Sequence, residues 1–344
     1  MLCDSTGPLV CICIPTYNVE RTLAHTLRSL LSQTYRRLLI TIVDNASTDD
    51  TLAIARSFDD PRVVVLAHDE HVTGENSFNR CIAYASGDYT AIYHADDVYG
   101  PEMVQQQVTF LNRHPNVGGV LSEAFTIDDS GKRLGRIRVP SSMKTEDNCY
   151  TFEQLFKAVL KHSNFMVCPS AMVRTDVYQQ TIVTWRGNLF ASSADLDIWF
   201  RIAWHHGLGI LPMPLMNYRI NPRQVSAHVR RSSARSDFFV VMDYYLQQEN
   251  VQSFMTSSDR AAYDDLERRN VIMRATNLFI EGQLLDAKVL LDGVFGLKMC
   301  QAAMKNRRGV FTLSLACLLK LFLFFKMACA GKYILTTLLG RLAR

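Results

Sequence analysis

The chain has 344 residues, 48% hydrophobic and 20% charged, with a formal net charge of +4 and a mean hydropathy near zero. That mixture excludes a disordered chain, a collagen and an isolated coiled coil; the length predicts one large domain with a smaller appendage. The charge is uneven: residues 301–344 hold eight Lys/Arg and no Asp/Glu, leaving 29 basic against 33 acidic residues elsewhere. Positive charge confined to one end suits an anionic surface there and argues against a nucleic-acid partner.

Short apolar, β-type runs occur at Leu9–Ile14, Leu38–Val43, Arg62–Leu66 and Tyr89–Tyr93. Their spacing of roughly 25–30 residues matches βαβ units. Between the first two, Leu23, Leu27, Leu30 and Leu31 form one helical stripe, with Asn18 expected as its N-cap. The next helix is expected to start at Ser47–Thr48, with Asp49 and Asp50 in its first turn. The runs are nearly all apolar, as in strands covered on both faces. The fold class is therefore α/β: a mostly parallel sheet flanked by helices.

Beyond residue 114 the pattern changes. Val117–Ile127 and Arg136–Val139 flank the turn sequence Asp128-Asp129-Ser130-Gly131-Lys132, predicting a hairpin. A helix over about 152–161, a strand through Phe165–Val173 and a helix from Asp195 to about His206 are expected next, followed by an all-helical stretch over 236–300. Val310–Phe325 is a largely apolar run of 16 residues whose only charge is Lys320. It is shorter than the ~20 residues of a spanning helix, and its flanking charges are all positive. A helix lying on an anionic membrane surface is the expectation; a buried terminal helix is the alternative. The N-terminus lacks the basic start and apolar run of a signal peptide, and the nine cysteines form no CxxC pair, so a cytoplasmic chain with reduced thiols is expected.

Ligands of open α/β sheets bind at the carboxyl ends of the strands. Polar clusters follow three of them: Pro15-Thr16-Tyr17-Asn18, Asp44-Asn45-Ala46-Ser47-Thr48-Asp49 and His94-Ala95-Asp96-Asp97. No GxGxxG follows the first strand and no GxxxxGK[ST] occurs, so backbone cradles for phosphate are not evident. A crevice lined by carboxylates repels a nucleoside diphosphate unless a hard divalent cation bridges them.

These segments, with Gly87-Asp88-Tyr89, Ala194-Asp195-Leu196-Asp197-Ile198-Trp199-Phe200-Arg201 and Tyr218-Arg219, resemble in order and spacing the motifs of family 2 glycosyltransferases of the GT-A fold, over about residues 9–228. The resemblance implies a role for each. Asp97, assisted by Asp96, would hold Mg²⁺ or Mn²⁺ bridging the sugar-nucleotide diphosphate, and Asp96 would also contact the ribose. His94 stands where relatives often have Asp and is not assigned as a ligand. Asp44 and Asn45 would receive the nucleoside, with Pro15, Thr16 and Tyr17 lining the base pocket. Asp195 rather than Asp197 would be the general base; the two lie about 200° apart around a helix, so they cannot serve one pocket. Arg219 would clamp the diphosphate, with a structural ion pair as the alternative.

The expected organisation is a GT-A domain over 1–235, a helical extension over 236–300 and a basic, apolar, membrane-associating end over 301–344. The expected activity is metal-dependent inverting transfer of a sugar from a nucleotide-sugar donor to a hydroxyl acceptor, such as a lipid-linked saccharide in polysaccharide synthesis, at the inner face of the cell membrane. The competing readings are a non-catalytic nucleotide-binding scaffold and a soluble sugar-phosphate nucleotidyltransferase.

Overall fold

A computed structural model describes residues 7–143, 145–221, 231–305 and 307–342; the end of the resembling stretch, 222–228, lies outside them. The chain divides into two compact units, Met1–Ala158 with Asn164–Asn221, and Val159–Ser163 with Pro222–Arg344.

The first unit is built on a ten-stranded mixed sheet. β1 (Val10–Thr16) lies between β2 (Leu38–Asn45) and β4 (Tyr89–Ile92), parallel to both, and β3 (Val63–His68) extends the parallel set beyond β2. Helices α1 (Leu23–Leu31), α2 (Thr51–Arg56) and α3 (Gly74–Ala83) make the crossovers. Ile12, Ile14, Ile40 and Ile42 meet Leu23, Leu27 and Leu30 in one core, which is why these strands read as continuous apolar runs. The chain leaves β1 for β2 on one side and returns to β4 on the other. The crevice at this reversal is where such sheets bind ligands.

β5 (Val98–Tyr99) and α4 (Met103–Arg113) follow. The expected hairpin forms as β6 (Gly119–Ile127) and β7 (Arg133–Ile137), paired antiparallel. β8 (Cys149–Tyr150) leads into α5 (Phe152–His162). The strand expected through Phe165–Val173 is mostly absent. Pro169 has no N–H to give a ladder, and Cys168–Ser170 form a 3₁₀ turn, so β9 spans only Met172–Arg174. After the short α6 (Gly187–Phe190), α7 (Ala194–His205) leads into β10 (Leu208–Arg219). β10 runs parallel to β6, with register shifts around Pro214, and pairs antiparallel with β5. Its last residue thereby reaches the turn that follows β4.

Both expected helix caps are displaced. α1 starts after Thr22, and Asn18, at φ 51°, instead accepts the Thr48 N–H on Oδ1 at 2.8 Å. α2 starts at Thr51, whose N–H donates 3.0 Å to Asp49 Oδ1.

The second unit is helical over its described residues: α8 (Asp237–Leu246), α9 (Glu249–Phe254), α10 (Ser257–Glu281), α11 (Leu284–Val294), α12 (Leu297–Lys305), α13 (Arg307–Phe324) and α14 (Ala328–Leu342). Thr256 and Asp259 close a capping box on α10, and Gly282, at φ 89°, ends it. Leu315, Ala316, Leu319 and Phe322 of α13 and Leu335 of α14 pack with Ile272, Ala275 and Phe279 of α10. One face of the apolar C-terminal segment is thus protein core, while Leu321, Phe324, Phe325 and Tyr333 are exposed. Among the described residues no helix is long and apolar enough to cross a membrane.

Candidate active site

The acidic turn after β4 is held from three directions. The Thr26 hydroxyl of α1 lies 2.9 Å from the Ala95 carbonyl and 2.7 Å from the Asp97 carbonyl. The Tyr99 hydroxyl accepts the His94 N–H at 2.7 Å and lies 3.2 Å from the His94 carbonyl; its ring stacks on Tyr93 at 4.3 Å. From the far end of β10, the Arg219 N–H donates 2.8 Å to Asp97 Oδ1.

Asp97 is fully buried, and its Oδ2 has no partner. Burial, and then the neighbouring Asp96 charge, push its carboxyl well above the usual carboxylate range, against the lowering effect of Arg219. His94 Nε2 is likewise buried without a partner, and burial lowers the affinity of its ring for a proton, against Asp96. One ligand atom from each of His94, Asp96 and Asp97 lies within 4.8 Å of the others. Orphaned buried acceptors next to crowded like charge suit a divalent cation, which would satisfy the lone pairs and reverse the penalty.

Asp195 stands in the first turn of α7, half-buried, with Asn164 Nδ2 3.4 Å from its Oδ2. Burial pushes its carboxyl up to about 6, while the Leu196 N–H and Asn164 pull it down. Cys168, at the turn before β9, relates this carboxylate to the acidic turn. Its thiol is raised well above its ordinary value by burial and then by the charges of both Asp195 and Asp97. Asp195 keeps a carboxylate that is only half-buried. Asp197 does not: it is fully buried, held by the Arg186 guanidinium and by Arg201 Nε at 3.0 Å. The angular argument that separated the two acids agrees with this arrangement.

On the other side of β1, Asp44, the last but one residue of β2, lies opposite Thr16, with Pro15 opposite Val43. Asp44 Oδ1 accepts from Thr16 Oγ1 at 3.1 Å and from Ser47 Oγ at 2.6 Å; Oδ2 accepts the Ser47 N–H at 3.0 Å. Tyr17 is 44% exposed and packs its ring 4.1 Å from that of His71. Nothing in the spacing of the motifs pointed to His71 or to Asn164.

Two residues expected to contact ligand are engaged within the protein. Asn45 was expected to receive the nucleoside. Its Nδ2 donates 2.8 Å to the Val72 carbonyl and lies 3.2 Å from His71 Nδ1; its Oδ1 accepts the Val72 N–H at 2.9 Å and Arg80 Nη1 at 2.8 Å. A buried amide so engaged pins the 70–72 loop beneath Tyr17. Arg219 was expected to clamp a diphosphate. Its Nε donates 2.8 Å to the Asp96 carbonyl, and Nη1 reaches the Asp128 and Asp129 carbonyls at 2.8 and 3.0 Å, so a buried guanidinium braces the acidic turn against the hairpin.

A mixed sheet with a nucleotide-type crevice at its reversal and an acidic turn after β4 defines a GT-A fold. Residues 11–181 match the model described as Glycosyl transferase family 2, and the chain carries a domain of that family. EpsE of Bacillus subtilis is 35% identical over 136 residues, covering 39% of this chain and 49% of EpsE. WfgD of Escherichia coli, named as a UDP-Glc:alpha-D-GlcNAc-diphosphoundecaprenol beta-1,3-glucosyltransferase, is 29% identical over 144 residues, covering 41% and 56%. The match thus spans about half the length of these relatives. Among solved structures, S. aureus TarS 1–349 in complex with UDP-GlcNAc shares the fold with a TM-score of 0.59 at 17% identity, over 95% of this chain and 90% of that one. The mannosyltransferase PcManGT from Pyrobaculum calidifontis, in complex with GDP-Man and Mn²⁺, does so at 0.52 and 16%, over 96% and 86%.

Proposed function

We propose that the chain is a metal-dependent, inverting glycosyltransferase that moves a sugar from a nucleotide-sugar to a hydroxyl acceptor. The observation that supports this reading is the cluster of His94, Asp96 and Asp97 at the carboxyl end of β4, and the half-buried Asp195 in the first turn of α7 is our candidate for the base. In this reading the nucleoside lies against Tyr17, with Thr16 and Pro15 at its edge, Asp44 accepting from it, and Asp96 contacting the ribose. A divalent cation held by Asp97 with Asp96 supplies Lewis-acid compensation for charge gathering on the leaving diphosphate. Asp195 takes the proton from the acceptor hydroxyl. The acceptor oxygen bonds to the anomeric carbon as the bond from that carbon to the diphosphate oxygen breaks. The electron pair leaves with the nucleoside diphosphate, and attack from the opposite face inverts the centre. An ordinary Asp titrates near ~3.9; one raised to about 6 is a stronger base and is still ionised at neutral pH.

The relative named for a diphosphoundecaprenol-linked acceptor supports a lipid-linked saccharide as acceptor, in polysaccharide synthesis. The basic C-terminal end and the exposed Phe324 and Phe325 support a peripheral position on the inner face of the cell membrane.

The test is incubation of the purified chain with a panel of nucleotide sugars, Mn²⁺ or Mg²⁺, and a polyprenyl-diphosphate saccharide. Release of nucleoside diphosphate with glycosylated lipid is expected. Release of pyrophosphate from a sugar phosphate and a nucleoside triphosphate, or binding without turnover, would overturn the reading.

A further inference from the structure

We propose that His94 is itself a ligand of the cation, through Nε2, and that this nitrogen biases the site towards Mn²⁺ over Mg²⁺. The inference rests on the metal-dependent reading above and adds a residue to it. Three observations carry it. First, the ligand atoms of His94, Asp96 and Asp97 already lie within 4.8 Å of one another; a common ion with bonds of about 2 Å needs only a sub-ångström closing of the set. Second, two side-chain atoms of these residues, His94 Nε2 and Asp97 Oδ2, are buried with no hydrogen-bond partner, and Asp97 is 0% exposed. Buried polar atoms are rarely left unsatisfied, and two orphans in one cluster are explained by one absent partner.

Third, the imidazole is held in place without using Nε2. Tyr99 engages the His94 backbone at both its N–H and its carbonyl. Phe78 meets the ring edge-on at 5.6 Å and is itself stacked on Trp185 at 4.4 Å. A ring oriented by packing while its outer nitrogen stays unbonded is pre-organised to donate a lone pair. The alternative, a wall histidine, leaves that nitrogen unsatisfied.

The choice of ion follows from the donor set. Mg²⁺ takes oxygen ligands in a strict octahedron and retains its waters, whereas imidazole is a ligand for first-row transition ions. One nitrogen beside two carboxylates weakens the case for Mg²⁺ and keeps Mn²⁺.

The test uses the full chain in excess over Mn²⁺ and inorganic pyrophosphate, a nitrogen-free stand-in for the diphosphate. Electron spin-echo modulation is compared between unlabelled protein and protein labelled with ¹⁵N-histidine. The expected result is directly coordinated ¹⁴N that changes to ¹⁵N on labelling and disappears in His94→Asp. In the same variant, the ratio of Mg²⁺ to Mn²⁺ dissociation constants should fall about tenfold. Bound Mn²⁺ without histidine nitrogen overturns this inference and leaves the metal-dependent reading standing. Mn²⁺ that does not bind at all overturns both. Where His94→Asp folds poorly, the labelled wild-type protein still decides between these outcomes.

Discussion

The backbone N–H of Arg219 donates 2.8 Å to Oδ1 of Asp97, a contact between residues 122 positions apart. It sets which oxygen of Asp97 is engaged and which is free. The same arginine's side chain reaches the Asp96, Asp128 and Asp129 carbonyls. Hydrogen bonds from a charged group are each worth about 1.5–3 kcal/mol, and these tie the partly buried Asp96 carbonyl to the β6–β7 turn. Arg219→Ala should therefore lower unfolding free energy by about 2–4 kcal/mol in urea titrations, and Lys, which lacks the fork, should not restore it. Unchanged stability with a raised KM for the nucleotide-sugar would return Arg219 to the role of a phosphate clamp.

Asp195→Asn keeps the shape of the side chain and removes the base. Donor binding should persist by calorimetry while transfer falls by about 10²–10⁴-fold. In the wild type, protonating Asp195 removes the base, so kcat/KM should rise with pH through about 6 and level above it. Asn164 draws that carboxyl down, so Asn164→Ala should move the limb to higher pH. A limb that stays in place would show that the amide does not tune the acid.

Asn45→Ala removes four hydrogen-bonding contacts under the His71 loop. A loss of about 1–3 kcal/mol in stability is expected, with the preference among nucleotide bases unchanged in competition binding. A switch of base preference at constant stability would make Asn45 a reader of the nucleoside after all.

Asp197 is 0% exposed between Arg186 and Arg201. Removing one partner of a buried ion pair leaves charge uncompensated, so Asp197→Ala should cost about 3–5 kcal/mol. Circular dichroism against denaturant checks this. A stable protein that has lost only transfer would instead place the base at 197.

Deleting residues 301–344 is a poor test of membrane binding, because Leu315, Leu319, Phe322 and Leu335 belong to the core of the second unit. Phe324 and Phe325 are 79% and 61% exposed, so a Phe324→Ser, Phe325→Ser double variant alters the surface and spares that core. Co-sedimentation of the wild type with anionic vesicles, lost in the double variant and at high salt, is the expected outcome. Wild-type protein left in the supernatant would remove the membrane from the proposal.

The strand ends were legible because a parallel strand writes itself as an apolar run and its ligand-facing residues follow directly. Asp44, Asp96 and Asp97 were proposed that way, and Asp195 by motif order. The intramolecular partners of Asn45 and Arg219 were not legible because they fold back from elsewhere: Val72 and Arg80 from the loop and helix after β3, and Asp128 from a hairpin. The caps failed for a related reason. Asn18 and Ser47 bond across the crevice to each other's loops, at 3.1 Å from Asn18 N–H to Ser47 Oγ, rather than to the helices that follow them. No period in a single segment reports such a cross-link.

The brace formed by Arg219 gives the β6–β7 turn an importance that its exposure conceals. A residue inserted or lost between Asp128 and Lys132 would shift the carbonyls on which the guanidinium rests and, through the next amide bond along, the carboxylate of Asp97. Length variation, ordinarily the most freely tolerated change in a surface hairpin, is at this position a change to the seat of the acidic turn.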